Sequence, residues 1–289
     1  MSKPISVLLD TDIGDDLDDA FCLALMLRSP ELSVRSVTAV FNDTVARCTM
    51  IAEMCEAAGQ KPRIVAGLGG IMSTRPLSWG SGRRMHYESQ KPRFDGPGPE
   101  HLIEAWMTAR REYDAIFTIG PLTNLAASLL ADPDVKRMPR VMMMAGEFQH
   151  FGMAEYNIRC DVEAAALCFQ AGFPIDLIPW TIGIKTKLHE ADRNRIRQAN
   201  TPLGRVLADY MNQFHVFEPQ RADMFDPMTV VALLKPELFR WERGFVTVEI
   251  RGEHTYGQTL FRRDPNGPHR WASDVDAEAA KNFMLDRLT

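Results

Sequence analysis

Short apolar runs alternate with longer amphipathic stretches over residues 5–179. The runs at 5–9, 34–40, 63–66, 115–119, 140–145 and 175–179 have strand length, and those between them, at 18–27, 44–58, 99–111, 122–130 and 162–171, have helix length. This alternation predicts an α/β fold, an open and mostly parallel sheet with helices on both faces. In such sheets ligands bind beyond the carboxyl ends of the strands. After residue 184 the pattern changes to helices at 190–199, 204–217 and 227–234, a β-rich stretch at 245–250 and 258–262, and a closing helix at 276–288. No linker-like composition and no internal repeat divides the chain, so one domain over 1–289 is expected. Residues 67–84, rich in Gly and Ser, read as a long loop that either covers a site or is ordinary surface.

At 289 residues and 45% hydrophobic content, the chain is long enough to bury a sizeable core. A net charge of −5 with scattered basic residues gives no nucleic-acid footprint, which favours small polar ligands. Cys22, Cys48, Cys55, Cys160 and Cys168 are odd in number and lack the spacing of a zinc site or a disulfide framework, so they read as buried thiols of a reducing compartment. Neither a signal-peptide stretch nor an apolar run approaching the ~20 residues of a membrane span occurs. A soluble, cytoplasmic protein is the expectation.

The candidate chemistry sits directly after the first apolar run. Residues 10–20 read DTDIGDDLDDA and place six carboxylates in eleven residues. Carboxylates packed this closely raise one another's pKa values unless a cation or water compensates them, so the cluster asks for a metal. An EF-hand loop fails, because its twelfth position, counted from Asp10, is Phe21 rather than Glu. A strand followed by DxD also opens phosphatases with an aspartyl nucleophile, which would make Asp10 the attacking group. That alternative is weakened by Gly14, which stands where Thr or Val is usual. What remains is a strand-to-helix turn in which Asp12 ends the strand, Asp18 and Asp19 begin the helix, and several oxygens face one hard cation.

The pattern DTDIG-x-D-x-DDA resembles the nucleoside hydrolases, N-ribohydrolases of the inosine/uridine-preferring type, in a longer variant of their first motif. The resemblance continues in order through VFNDT (40–44), MHYES (85–89), GPLTN (120–124), MAG (144–146), AEYNI (154–158), DVEAA (161–165) and FDP (225–227).

The resemblance implies an α/β nucleoside hydrolase fold and one Ca²⁺ held by Asp12, Asp19 as a bidentate carboxylate, the carbonyl of Ile119, and Asp226. Oxygen-only ligation also suits the residue types, since neither His nor Cys lies within the cluster. Asp12 would be the catalytic base, taking a proton from a water held by the metal for attack on the anomeric carbon. The ribose would become oxocarbenium-like as the N-glycosidic bond breaks. Asp18, Asn42, Glu155 and Asn157 would hold sugar hydroxyls. His86 and Gln149 fall at further substrate-contacting positions of the family. The partners implied are a nucleoside or related N-riboside and, as is common in the family, further copies of the chain in a homodimer or homotetramer.

Each of these residues also has a plainer reading: Asp18 as a helix cap, Asp226 as an N-cap before Pro227, His86 as an exposed loop histidine, and Met142 to Met144 as core strand. Departures from the family pattern sharpen the expectation. Ile13 replaces a common Pro, and Asp15 and Asp16 form an insertion expected to be solvated or to lie behind the ligands. Gln149 stands where Asn is frequent. Phe225 stands where members preferring inosine and uridine carry a His able to protonate the leaving base. His215 and Arg221 are the nearby candidates to replace it, and slow cleavage of common nucleosides, or another N-riboside as substrate, follows as the expectation. A metal- and ribose-binding protein without hydrolytic activity is the alternative that Phe225 keeps open.

Overall fold

The computed structural model describes residues 3–75 and 85–289. The long loop expected at 67–84 therefore lies in part outside the described residues.

Six parallel strands form at the predicted places: β1 (Ile5–Thr11), β2 (Leu32–Ala39), β3 (Arg63–Ala66), β4 (Ala115–Thr118), β5 (Arg140–Met144) and β6 (Ile175–Ile178). Three more, β7 (Phe239–Val248), β8 (Thr259–Arg263) and β9 (His269–Val275), extend them into a nine-stranded sheet of order β3-β2-β1-β4-β5-β6-β9-β7-β8. β9 lies parallel to β6, whereas β7 is antiparallel to both of its neighbours, so the sheet is mostly parallel with an antiparallel edge. The strand 269–275 was not anticipated from the sequence. Its run HRWASDV mixes polar and apolar positions, and its burial comes from flanking strands far away in sequence.

The helices are α1 (Asp18–Arg28), α2 (Thr44–Ala57), α3 (Leu102–Glu112), α4 (Thr123–Ala131), α5 (Tyr156–Cys160), α6 (Val162–Gln170), α7 (Trp180–Gly183), α8 (Glu190–Gln198), α9 (Pro202–Phe217), α10 (Pro227–Leu234) and α11 (Ala277–Leu288). The helix expected from residue 99 begins instead as a 3₁₀ turn, Pro99–His101. Side chains of β1 alternate between two cores: Val7 and Leu9 pack with α1, α9, α10 and α11, while Leu8 joins the core under α3, α4 and α6. The five cysteines are free and buried. Among the described residues, no helix is long and apolar enough to cross a membrane.

The order of the strands decides where a ligand can enter. From β1 the chain proceeds to β2 and β3 on one side, then returns to place β4, β5 and β6 on the other. The connections leaving β1 and β4 thus diverge to opposite faces and leave a crevice beyond their carboxyl ends. The acidic turn leaves β1 at that point.

Candidate active site

A cavity of about 250 Å³ opens beyond the carboxyl ends of β1, β4 and β5. It is lined by Asp12, Asp18, Asp19 and Asp226, by Ile119, and by Glu155 and Asn157, which bond the end of β5 and the residues after it. Met153, Tyr156, Trp180 and Phe225 give it an apolar and aromatic wall, and among the described residues Arg159 and Arg221 bring positive charge to it.

The turn from β1 into α1 is built by contacts from distant segments. Gly14 has φ +117°, and a Cβ there would lie 2.8 Å from the Met50 side chain, so both backbone and space require glycine. The Gly14 carbonyl accepts the His86 N–H at 2.8 Å. The Tyr87 hydroxyl accepts the Gly14 N–H and donates to the Asp16 carbonyl at 2.8 Å. Beneath the turn lies Arg47, fully buried, whose Nε donates to the Phe41 carbonyl at 2.8 Å. Its remaining nitrogens donate to the carbonyls of Asp12 and Ile13 and to the Asp15 carboxylate, the last at 3.0 Å. Asp15 is buried rather than solvated, the other course expected for the insertion, because this guanidinium neutralises it. Asp16 is partly exposed and forms an ion pair with Arg221 across the cavity rim.

Asp18, Asp19 and Asp226 each offer a carboxylate oxygen, all within 4.8 Å of one another. This grouping holds two of the expected carboxylate ligands together with Asp18, while Asp12, the third, lines the same cavity. Asp18 joins them because its carboxylate accepts the backbone N–H groups of Phe225 and Asp226, both at 3.1 Å, and is thereby tied to the late segment. Asp19 accepts the Thr11 hydroxyl. Asp12 approaches Gly120 so closely that a Cβ there would lie 2.7 Å from its Oδ1. Burial raises the pKa of all four. Asp18 is pushed up to about 7, with the charge of Asp16 adding to burial. Asp19 and Asp226 stand well above the usual carboxylate range through burial and then their acidic neighbours. Asp12 is also raised by burial, opposed by the Arg47 charge. A buried, oxygen-only cluster of mutually repelling carboxylates is a donor set that fits a hard divalent cation.

Glu155 and Asn157 line the cavity while shaping it. Glu155 caps α5, accepting the N–H groups of Asn157, Ile158 and Gly146, and Asn157 donates its amide to the carbonyls of Ile119 and Met144. Phe225 takes its expected place in the wall. The structure does not bring Asn42, His86, Gln149 or His215 into the lining. Asn42 is exposed, in a left-handed conformation with φ 57°. The His86 ring packs on Phe217 and Phe214, and its neighbour Tyr87, which the sequence reading passed over, makes the contacts to the turn. The Gln149 amide donates to the Ser273 carbonyl at 2.8 Å, beside a separate cavity. His215 bonds the Arg221 carbonyl at 3.2 Å, and burial lowers its pKa, so it braces the loop that presents Arg221.

The aspartyl-phosphatase alternative meets a plain obstacle. Asp10 has no solvent exposure and lies outside the cavity lining, with its Oδ1 accepting from Thr38 and from the Asn124 amide at 2.8 Å. It cannot reach a phosphoryl group.

A family model described as inosine-uridine preferring nucleoside hydrolase matches residues 7–282. A curated relative, the pyrimidine-specific ribonucleoside hydrolase RihA of Escherichia coli, is 28% identical over 310 residues, spanning 98% of each chain. Among solved structures, the plant nucleoside hydrolase PpNRh1 superposes with a TM-score of 0.79 at 26% identity over 99% of both chains. A purine-preferring ribonucleoside hydrolase from Gardnerella vaginalis superposes with a TM-score of 0.81 at 22% identity over 98% of both, a likeness of fold.

Proposed function

The chain belongs to the inosine-uridine preferring nucleoside hydrolase family, and from that premise we propose that it hydrolyses the N-glycosidic bond of a ribonucleoside or related N-riboside, with Ca²⁺ as its cofactor. The observation carrying the proposal is the buried cluster of Asp18, Asp19 and Asp226, joined in one cavity by Asp12 at the switch point of the sheet. Asp12, Asp19, Asp226 and the Ile119 carbonyl are the proposed ligands. Asp18, gathered with Asp19 and Asp226, holds a sugar hydroxyl beside them. When bound, the cation would hold the sugar diol and acidify the attacking water.

The chain's own residues supply the rest. Asp12, raised by burial, accepts the proton of the attacking water. Glu155 and Asn157, fixed by their backbone bonds, hold the sugar end. Phe225, Trp180 and Tyr156 offer apolar surface on which a base can stack and from which water is excluded. Phe225 has no proton to give, so the departing base depends on another donor. Arg221 lines the cavity and can donate a hydrogen bond to charge developing on the base. Slow turnover of common nucleosides follows.

A reducing-sugar assay over purine and pyrimidine ribonucleosides tests the reading. Sugar release should require a divalent cation, cease with a chelator, return with Ca²⁺, and fall by at least ~100-fold in Asp12→Asn. Ca²⁺ and ribose binding without sugar release from any nucleoside or other N-riboside would instead establish the non-hydrolytic alternative that Phe225 raises.

A further inference from the structure

Of the two cations that line the cavity among the described residues, Arg221 is already paired with Asp16, but Arg159 is not paired with any carboxylate there. The residues outside that description, Met1, Ser2 and 76–84, contain no acidic side chain. The nearest acid in sequence, Glu155, is committed: its two oxygens accept three backbone N–H groups. The Nε of Arg159 is buried and without a hydrogen-bond partner. A polar N–H withdrawn from water and left unbonded is unfavourable, and such groups recur where a ligand completes them. The side chain is nonetheless held in place, its guanidinium carbon 5.7 Å from the centroid of the Tyr156 ring, a contact that consumes none of its N–H groups.

We propose that Arg159 is an anion receptor within this cavity, and that the substrate is an N-riboside carrying an anionic substituent, a carboxylate on the base or a phosphate on the sugar. The inference rests on the N-ribosidase reading and narrows its substrate class. The planar fork of a guanidinium matches the paired oxygens of either group. The carboxylates of the same lining suit a cation and neutral hydroxyls, so Arg159, the described cation there without a carboxylate partner, is where an anionic substituent is favoured. Hydrolysis itself is unchanged: water adds at the anomeric carbon, the bond to nitrogen breaks, and the base leaves with the proton that balances it.

Reaction products allow a test that needs no turnover. Affinities of the purified protein, with Ca²⁺ present, are measured by calorimetry for ribose against ribose 5-phosphate and for uracil against orotate. One anionic member should bind about tenfold or more tightly than its neutral partner, and the pair that shows the gain identifies the source of the charge. Arg159→Gln should abolish that ratio and Arg159→Lys should retain part of it, with thermal unfolding recorded for both variants. Equal affinities within both pairs for the unmodified protein, or a ratio that survives in a folded Arg159→Gln variant, would overturn the proposal. Failure to release sugar from any N-riboside would count against hydrolysis while leaving these ratios to decide the anion site.

Discussion

A guanidinium without solvent contact supports the acidic turn, and its removal should cost more than the hydrogen bonds it makes. Arg47 satisfies three backbone carbonyls and neutralises Asp15 in a region that also contains Asp12 and Asp19. Breaking one partner of a buried ion pair leaves an uncompensated charge, so Arg47→Met should destabilise the metal-free protein by about 3–5 kcal/mol in urea unfolding. Asp15→Asn should cost less, because the amide still accepts a hydrogen bond. Added Ca²⁺ should narrow the gap between Arg47→Met and the unmodified protein, since the cation restores positive charge to the cluster. A variant as stable as the parent without metal would refute this account. At this scale the sequence was informative where residues lie close together and poor where they meet across the fold. Asp12, Asp18, Asp19, Glu155, Asn157, Phe225 and Asp226 were legible from motifs and all line the cavity. Arg47 and Tyr87 were not, because nothing adjacent in sequence signals that their polar atoms end on the Asp12 to Asp16 backbone. His86 and Asn42 matched motifs as well, and Gln149 fell at a motif position where Asn is frequent, yet motif position does not fix the direction of a side chain.

At the scale of elements, long periodic segments were readable and short or sandwiched ones were not. The helix over 227–234 and the strand over 63–66 form within the expected bounds. α5 and α7 are too short to show a helical period, and β9 shows little alternation because it is enclosed between β6 and β7. That enclosure has a thermodynamic signature. His269, at the start of β9, is buried, and its Nδ1 accepts the Val246 N–H at 3.0 Å. Only the neutral ring can accept there, and burial pushes its pKa down from 6.5 to about 4. The unfolded chain therefore binds more protons between those values, so the contribution of His269 to stability is present above pH 6.5 and is lost as pH falls towards 4. The full loss is at most about 3 kcal/mol. His269→Gln, whose carbonyl can take the same bond, should flatten the fall of stability over this window relative to the parent. An unchanged pH dependence would show that the ring does not titrate against folding.

For the molecule as a whole, the parallel sheet and the position of the site at its carboxyl edge followed from the alternation of elements, because crossovers between parallel strands leave few arrangements open. The antiparallel edge did not follow, since β7, β8 and β9 depend on pairings that local pattern does not specify. The site joins the first helix to the tenth through Asp18 and Asp226, so a cation bound there adds to the backbone hydrogen bonds that already tie these segments together. Binding to the folded chain alone should raise the unfolding free energy by about 2.7 kcal/mol at a hundredfold excess over Kd. Calorimetric scans should register the matching rise in Tm with Ca²⁺, and Asp226→Asn should remove most of it. No rise in the unmodified protein would mean that the cluster does not bind the ion.

The bond from the Asp226 backbone to Asp18 spans 208 residues, which has a consequence for the chain as it leaves the ribosome. At ~5–20 residues per second, the acidic turn is exposed for about 10–40 s before its late partner is made. During that interval the carboxylates of residues 10–19 stay hydrated and ionised, and the nascent chain has only part of the ligand set. Capture of a cation by the full set would thus wait for translation to pass residue 226, and the finished chain, not the growing one, would be the form that competes for it.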